Sequence, residues 1–190
     1  MIDELVLKNR SYRRFEQSAR ISEKSLREFV NLARLTASSA NRQPLKYILS
    51  HEPHKNELIF PTLAWAGYLP DWDGPEEGER PSAYIIMVDD TEISKSFEFD
   101  SGIAAQTILL GAVSKGFGGC MLTSIKKEKL REALNLPEQY QIVLVIALGK
   151  PVEKVEIEPV PADGSIKYWR DEQHVHHVPK RALKDVILDL

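Results

Sequence analysis

Apolar positions recur at helical and at strand spacing in turn along the chain, which predicts a mixed α and β protein. Residues 2–8 read as a short amphipathic helix, broken by the cation-rich run Asn9-Arg10-Ser11-Tyr12-Arg13-Arg14-Phe15. Ser22 is placed to cap a second helix, with Ile21 and Leu26 as a hydrophobic staple and Leu26, Phe29, Val30 and Ala33 on its inner face. After Leu35 the chain turns small and polar, and residues 45–50 resume as a strand. A helical segment from Asn56 is disturbed by Pro61. Residues 67–81, with Asp71-Trp72-Asp73-Gly74-Pro75, form an acidic loop that is either a lid or disordered.

The second half repeats the alternation. Residues 83–89 form a nearly continuous apolar strand, and Asp100 is placed to cap a long helix to Lys115 lined by Ile103, Ala104, Thr107, Ile108 and Gly111. Strands over 117–122 and 141–148 flank a helix over 127–134 that ends near Pro137. From Gly149 the chain passes Pro151, Pro159 and Pro161 without a clear helix until Ala182. That stretch is too long for an ordinary connection, so it is either an arm lying on a partner subunit or a loose terminus.

A chain of 190 residues, 43% hydrophobic, has enough apolar surface for one core, so residues 1–190 are expected to form a single domain. Its 28 acidic and 25 basic residues are interspersed, leaving no basic stripe for nucleic acid and no polybasic membrane arm. The opening Met1-Ile2-Asp3-Glu4 has no basic region before a long apolar run, so no signal peptide or membrane span is expected and a cytoplasmic location follows. The lone Cys120 can be buried filler, a catalytic thiol or an intermolecular bridge, and its neighbours Gly119 and Met121 favour burial.

Three polar clusters stand outside the core pattern: Arg10-Ser11-Tyr12-Arg13, Ser38-Ser39-Ala40-Asn41-Arg42-Gln43-Pro44, and Lys180-Arg181. Guanidinium groups and hydroxyls give forked, charge-assisted hydrogen bonds to oxygen, so one phosphate-bearing cofactor would unite all three. The bland alternative is that each cation only solvates the surface. Other chemistries fare worse. Gly116-Phe117-Gly118-Gly119 follows a helix and leads into a strand, the reverse of a dinucleotide-binding turn, and its glycines either admit a flat ligand or make a tight turn. His174, His176 and His177 lack the further ligands of a metal centre; on an extended segment His174 and His176 would share one side. Ser38 and Ser39 have no nucleophile elbow or identifiable His and Asp pair, against a hydrolase.

On these motifs, in this order and over nearly its whole length, the chain resembles the nitroreductase family of FMN enzymes. Arg10-Ser11-x-Arg13 is similar to the family's N-terminal motif for the flavin phosphate and pyrimidine oxygens, and Ser38-Ser39-x-Asn41-x-Gln43-Pro44 to its second motif, which reaches the flavin from the partner subunit. The run ending Leu122-Thr123-Ser124 resembles the segment alongside the isoalloxazine ring, and Lys180-Arg181 the basic C-terminal phosphate contact. The chain departs from the family at Asn9, where many members carry a further arginine, and in the adjacency of Lys180 and Arg181.

The resemblance implies an α+β fold with a central, mainly antiparallel sheet flanked by helices and a C-terminal arm exchanged in a homodimer. It implies FMN as cofactor, NAD(P)H as co-substrate, and a small acceptor such as a nitroaromatic or quinone, reduced by a ping-pong mechanism. The flavin would carry the chemistry, with no catalytic side chain. The binding set it implies is Arg10, Ser11, Tyr12, Arg13, Ser38, Ser39, Ala40, Asn41, Gln43, Leu122, Thr123, Ser124, Lys180 and Arg181. Two alternatives share the scaffold: a flavin carrier or sensor without turnover, and another flavin reaction such as reductive dehalogenation or flavin fragmentation.

Overall fold

The two most apolar runs of the chain become its central strands. In the computed structural model, which describes residues 1–94 and 98–188, β3 (Ala83–Asp90) pairs antiparallel with β5 (Tyr140–Pro151), Ala83 facing Leu148 and Asp90 facing Tyr140. Side chains alternate across the pleat, so a strand covered on both faces must be apolar at every position. Ile85 and Met87 of β3, with Leu144, Ile146 and Leu148 of β5, meet Leu26, Phe29 and Ala33 of α2 (Glu23–Arg34) and Ala105, Ile108 and Ala112 of α4 (Glu98–Ser114). On the opposite face Tyr84, Ile86, Val88 and Val145 meet Ile59 of α3 (Pro53–Ile59) and Leu130 of α5 (Lys127–Leu134).

Three more strands complete an antiparallel sheet. β2 (Leu45–Ser50) lies beside β3; β4 (Gly118–Leu122) and the two-residue β1 (Phe15–Glu16) both pair with β5. The fold is the α+β arrangement expected, with helices on both faces of the sheet. The helix α1 (Ile2–Lys8) precedes β1 and buries none of its residues in its own chain. Among the described residues no helix is long and apolar enough to cross a membrane.

Four expectations change. Asp100 does not cap α4, which is already helical at Glu98; its carboxylate instead accepts from the Ser38 hydroxyl and the Ser39 N–H. Ile103 is exposed and Thr107 lies off the core, because the buried face of α4 is Ala104, Ala105, Ile108, Leu109 and Ala112. Gly111 does face α2, where a Cβ would come within 2.8 Å of Leu32. The loop over 67–81 is packed: Trp65 fills the space beside Gly74, Pro75 is buried, and Gln17 Oε1 accepts from the N–H groups of Gly78 and Arg80.

The tail is built too. β6 (Val155–Pro159) runs parallel to β8 (His176–Lys180), with β7 (Trp169–Arg170) antiparallel on its other side. A sheet of distant, short, polar strands leaves no run of apolar residues to read. His174 turns at φ 61°, which breaks the alternation assumed for the histidines, and His177 stacks on Trp169 beside Asp171.

β4 approaches β5 so closely that a Cβ on Gly119 would overlap the Ala147 carbonyl and lie 2.9 Å from Leu148 Cδ2. Gly119→Ala should therefore destabilise the fold by about 1–3 kcal/mol, read as a lower urea midpoint with an unchanged slope. Wild-type stability in that variant would contradict the tight seat of β4.

Candidate functional site

The chain leaves α1 at Asn9 and runs extended past the edge of β4, where Ser11 forms a parallel bridge with Gly119 and Tyr12 N–H donates to the Gly119 carbonyl at 3.1 Å. The Tyr12 ring takes the place a Cβ of Gly118 would occupy, and its hydroxyl donates to the Lys8 carbonyl at 3.0 Å. At these two glycines the space a side chain would take is filled by the chain's own atoms. Gly116, at φ +79°, makes the tight turn out of α4.

Four arginines crowd this corner, and their partners divide them. Arg14 holds Glu79 through two hydrogen bonds of 2.6 Å, and Arg170 donates to Glu153 at 3.2 Å. Arg10 and Arg13 have no carboxylate partner among the described residues. Arg10 donates to the Val6 carbonyl at 2.6 Å while its Nε is buried without an acceptor. Arg13 Nη1 lies 3.1 Å from the Ser11 carbonyl and 3.3 Å from His176 Nε2, with Tyr168 against the guanidinium at 5.0 Å. Glu153 Oε1 accepts from the backbone N–H groups of both Arg13 and Arg14. The exposed Ser11 hydroxyl completes a set of donors suited to an anionic oxygen ligand.

The second motif is a clamped loop. Ala40, Asn41 and Gln43 all adopt left-handed backbone, at φ 51°, 54° and 54°, which non-glycine residues hold only under constraint. Asp100, 4% exposed, supplies it by accepting from Ser38 Oγ at 2.5 Å and Ser39 N–H at 2.8 Å. Ser38 Oγ in turn accepts from Gln43 N–H at 2.9 Å, and the Gln43 amide donates to Asn41 at 3.1 Å. Burial alone would push the Asp100 carboxyl up, but the donors of Ser38 and Ser39 offset it and hold the group below its ordinary range. Ser38, Gln43, Asp100 and Tyr47 line a cavity of about 410 Å³, in which burial and then Asp100 push the Tyr47 phenol up to about 12.

Leu122 is buried, and the exposed Thr123 and Ser124 follow the end of β4, with Ser124 accepting from Ala64 N–H at 2.9 Å. Cys120 is buried beside them, its thiol pushed up to about 12 by burial, as structural filler rather than a reactive thiol. Lys180 ends β8 and is exposed, as is Arg181. The fold thus brings the first motif, β4 and the C-terminal sheet together. No described hydrogen bond or ion pair within one chain joins the Ser38 loop, or Lys180 and Arg181, to Arg10 and Arg13. Among the described residues no three His, Cys, Asp or Glu side chains gather as a metal site.

Sequence reasoning missed Glu153 and Tyr168, which touch the first motif only through the folded tail, Arg170, which reaches it through Glu153, and the contact of His176 with Arg13. Asp100 was visible, in the wrong role. A buried acid between two polar motifs is the signal that could have found it.

Comparison with known proteins places this architecture. The family model described as the nitroreductase family matches residues 6–150. The chain is 25% identical over 179 residues to YodC of Bacillus subtilis, whose name carries a provisional NAD(P)H nitroreductase assignment, covering 78% of this chain and 89% of that protein. A nitroreductase family protein of Clostridium novyi NT shares the fold at a TM-score of 0.67 and 20% identity, with 99% of each chain covered. The NADPH:FMN oxidoreductase of Vibrio harveyi, solved with NAD+, shares it at a TM-score of 0.64 and 24% identity, over 85% of this chain and 74% of that one. A match over residues 6–150, most of the chain, joined to the same fold from end to end, makes this protein a member of the nitroreductase family.

Proposed function

We propose that the chain is an FMN-dependent NAD(P)H oxidoreductase that works as a homodimer and reduces a small acceptor such as a nitroaromatic or quinone by a ping-pong mechanism. One observation carries the cofactor assignment: Arg10 and Arg13, on either side of Ser11 in the first motif, hold no carboxylate among the described residues, while their neighbours Arg14 and Arg170 do. Such guanidinium groups fit a phosphorylated, carbonyl-rich ligand and waste their forked donors on water alone. A similar protein from Vibrio harveyi is by name an NADPH:FMN oxidoreductase, which agrees with that fit.

FMN, when bound, supplies the acceptor and donor of hydride. The chain's own residues then bind and orient. Arg10, Ser11 and Arg13 would offer donors to phosphate and ring oxygens, Tyr12, whose N–H and hydroxyl are engaged by Gly119 and Lys8, would line the site between them, and Lys180 and Arg181 would add positive charge at the phosphate end. Leu122, Thr123 and Ser124 would run beside the ring, where backbone N–H groups would favour negative charge on it. Ser38, Ser39, Ala40, Asn41 and Gln43 complete the site from the second subunit. Supporting the dimer, Ile2, Val6 and Leu7 of α1, Phe99 and Ile103 of α4, and Leu183, Val186, Ile187 and Leu188 of the tail are exposed apolar side chains that an interface between subunits would bury.

Purified protein should carry flavin absorbance bands and oxidise NADPH or NADH in the presence of an acceptor. Bound flavin without NAD(P)H oxidation would instead mark a carrier. Arg13→Ala should weaken FMN binding roughly tenfold or more, as expected for loss of charge-assisted hydrogen bonds; a full flavin complement at unchanged affinity would refute the role of the first motif. Ser38→Ala removes both the donor to Asp100 and the acceptor for Gln43, so it should cost about 1–3 kcal/mol of stability and lower flavin affinity with it. Neither change in that variant would mean that the Asp100 clamp does not shape the loop.

A further inference from the structure

The C-terminal sheet sets β8 beside the first motif. His176 opens that strand, 1% exposed, held there by its N–H donating to the Lys154 carbonyl at 2.9 Å and by register with Val155 and Arg170. Its Nε2 lies 3.3 Å from Arg13 Nη1, and its Nδ1 is buried without a partner.

Hydrogen-bond chemistry admits one protonation state for this pair. A guanidinium has donors only, so the lone pair across the 3.3 Å contact must belong to His176 Nε2. The imidazole is then neutral with its proton on Nδ1. An Nε2–H tautomer would set two donors face to face, and an imidazolium would set two cations against each other. The charged groups around the ring, Arg13, Arg170 and His177, all act against protonation, and together with burial, the larger effect, they bring its pKa down to about 4. Leaving Nδ1–H unpartnered is costly, so the contact with Arg13 is retained at the expense of a second one.

The seat has a second wall. The Tyr168 ring lies 5.0 Å from the Arg13 guanidinium and 5.1 Å from the His176 ring, and it is itself fixed by the Tyr68 ring at 4.9 Å and by Tyr68 N–H donating to its hydroxyl at 3.3 Å. Arg13 is therefore gripped by His176 and the Ser11 carbonyl at Nη1 and on its face by Tyr168, with its other donors uncommitted among the described residues.

We propose that His176 is a positioning residue for flavin binding: by accepting from Arg13 it fixes the direction in which that guanidinium offers its remaining N–H groups to FMN. The assignment rests on the oxidoreductase reading above. It makes the C-terminal sheet part of the cofactor site through a side chain that never touches the cofactor.

Two measurements test it. Ring 15N NMR of the wild-type, flavin-free protein at pH 7 should show His176 neutral, protonated at Nδ1 and bare at Nε2; an Nε2–H tautomer or an imidazolium overturns the assignment whether or not flavin binds. FMN titration by fluorescence quenching should then show His176→Leu weakened roughly tenfold and His176→Gln, which keeps an acceptor oxygen, within about threefold of wild type. Equal affinity in wild type and both variants, or His176→Gln as weak as His176→Leu, refutes a role through the acceptor. If His176→Leu does not fold, His176→Gln and the NMR tautomer still decide. Wild type that binds no FMN overturns the oxidoreductase reading and this assignment with it, whereas tight wild-type binding with unchanged variants removes only His176.

Discussion

One buried carboxylate holds the site together. Glu153, whose side chain is 1% exposed, follows β5 and accepts from the backbone N–H groups of Arg13 and Arg14 and from the guanidinium of Arg170. Removing a partner from a buried charge costs about 3–5 kcal/mol, against at most about 1 kcal/mol for an exposed pair such as Arg27 with Glu23. The first motif and the strand carrying Arg170 are thus tied to one buried group. Because Glu153 bonds the backbone of Arg13, it fixes where the arginine starts and leaves its side chain to His176, Tyr168 and a ligand.

The same economy governs the second motif. Three left-handed residues in four, at Ala40, Asn41 and Gln43, would not persist in a free loop; Asp100 holds them through Ser38 and Ser39. In both motifs an acid outside the motif, buried and fully engaged, shapes backbone that then presents side chains outward. Among the described residues no hydrogen bond or ion pair joins the two motifs, and in the proposed dimer the second subunit would bring them together.

Legibility in the sequence followed the range of the forces involved. Strands β2, β3 and β5 and helices α2 and α5 were readable because burial on one or both faces writes a period into consecutive residues. The exposed Ile103 misled, since an apolar residue turned outward looks the same in sequence as one turned inward. β1 and the C-terminal sheet were invisible: two-residue strands carry no period, and β6 pairs with β8 across some twenty intervening residues of mixed polarity. The motif arginines were legible as residue types, but which of them remain free depended on Glu79 and Glu153, acids far away in the chain. For the same reason His176 read as an incomplete metal ligand until the fold set it beside Arg13.

The most direct test of the central claim compares the flavin with and without its phosphate. If Arg10, Ser11 and Arg13 form an anion-binding corner, flavin-free protein titrated calorimetrically should take up one FMN per chain and bind it at least roughly tenfold more tightly than riboflavin, the margin of one charge-assisted hydrogen bond or more. Equal affinity for the two flavins, or none for either, would contradict it.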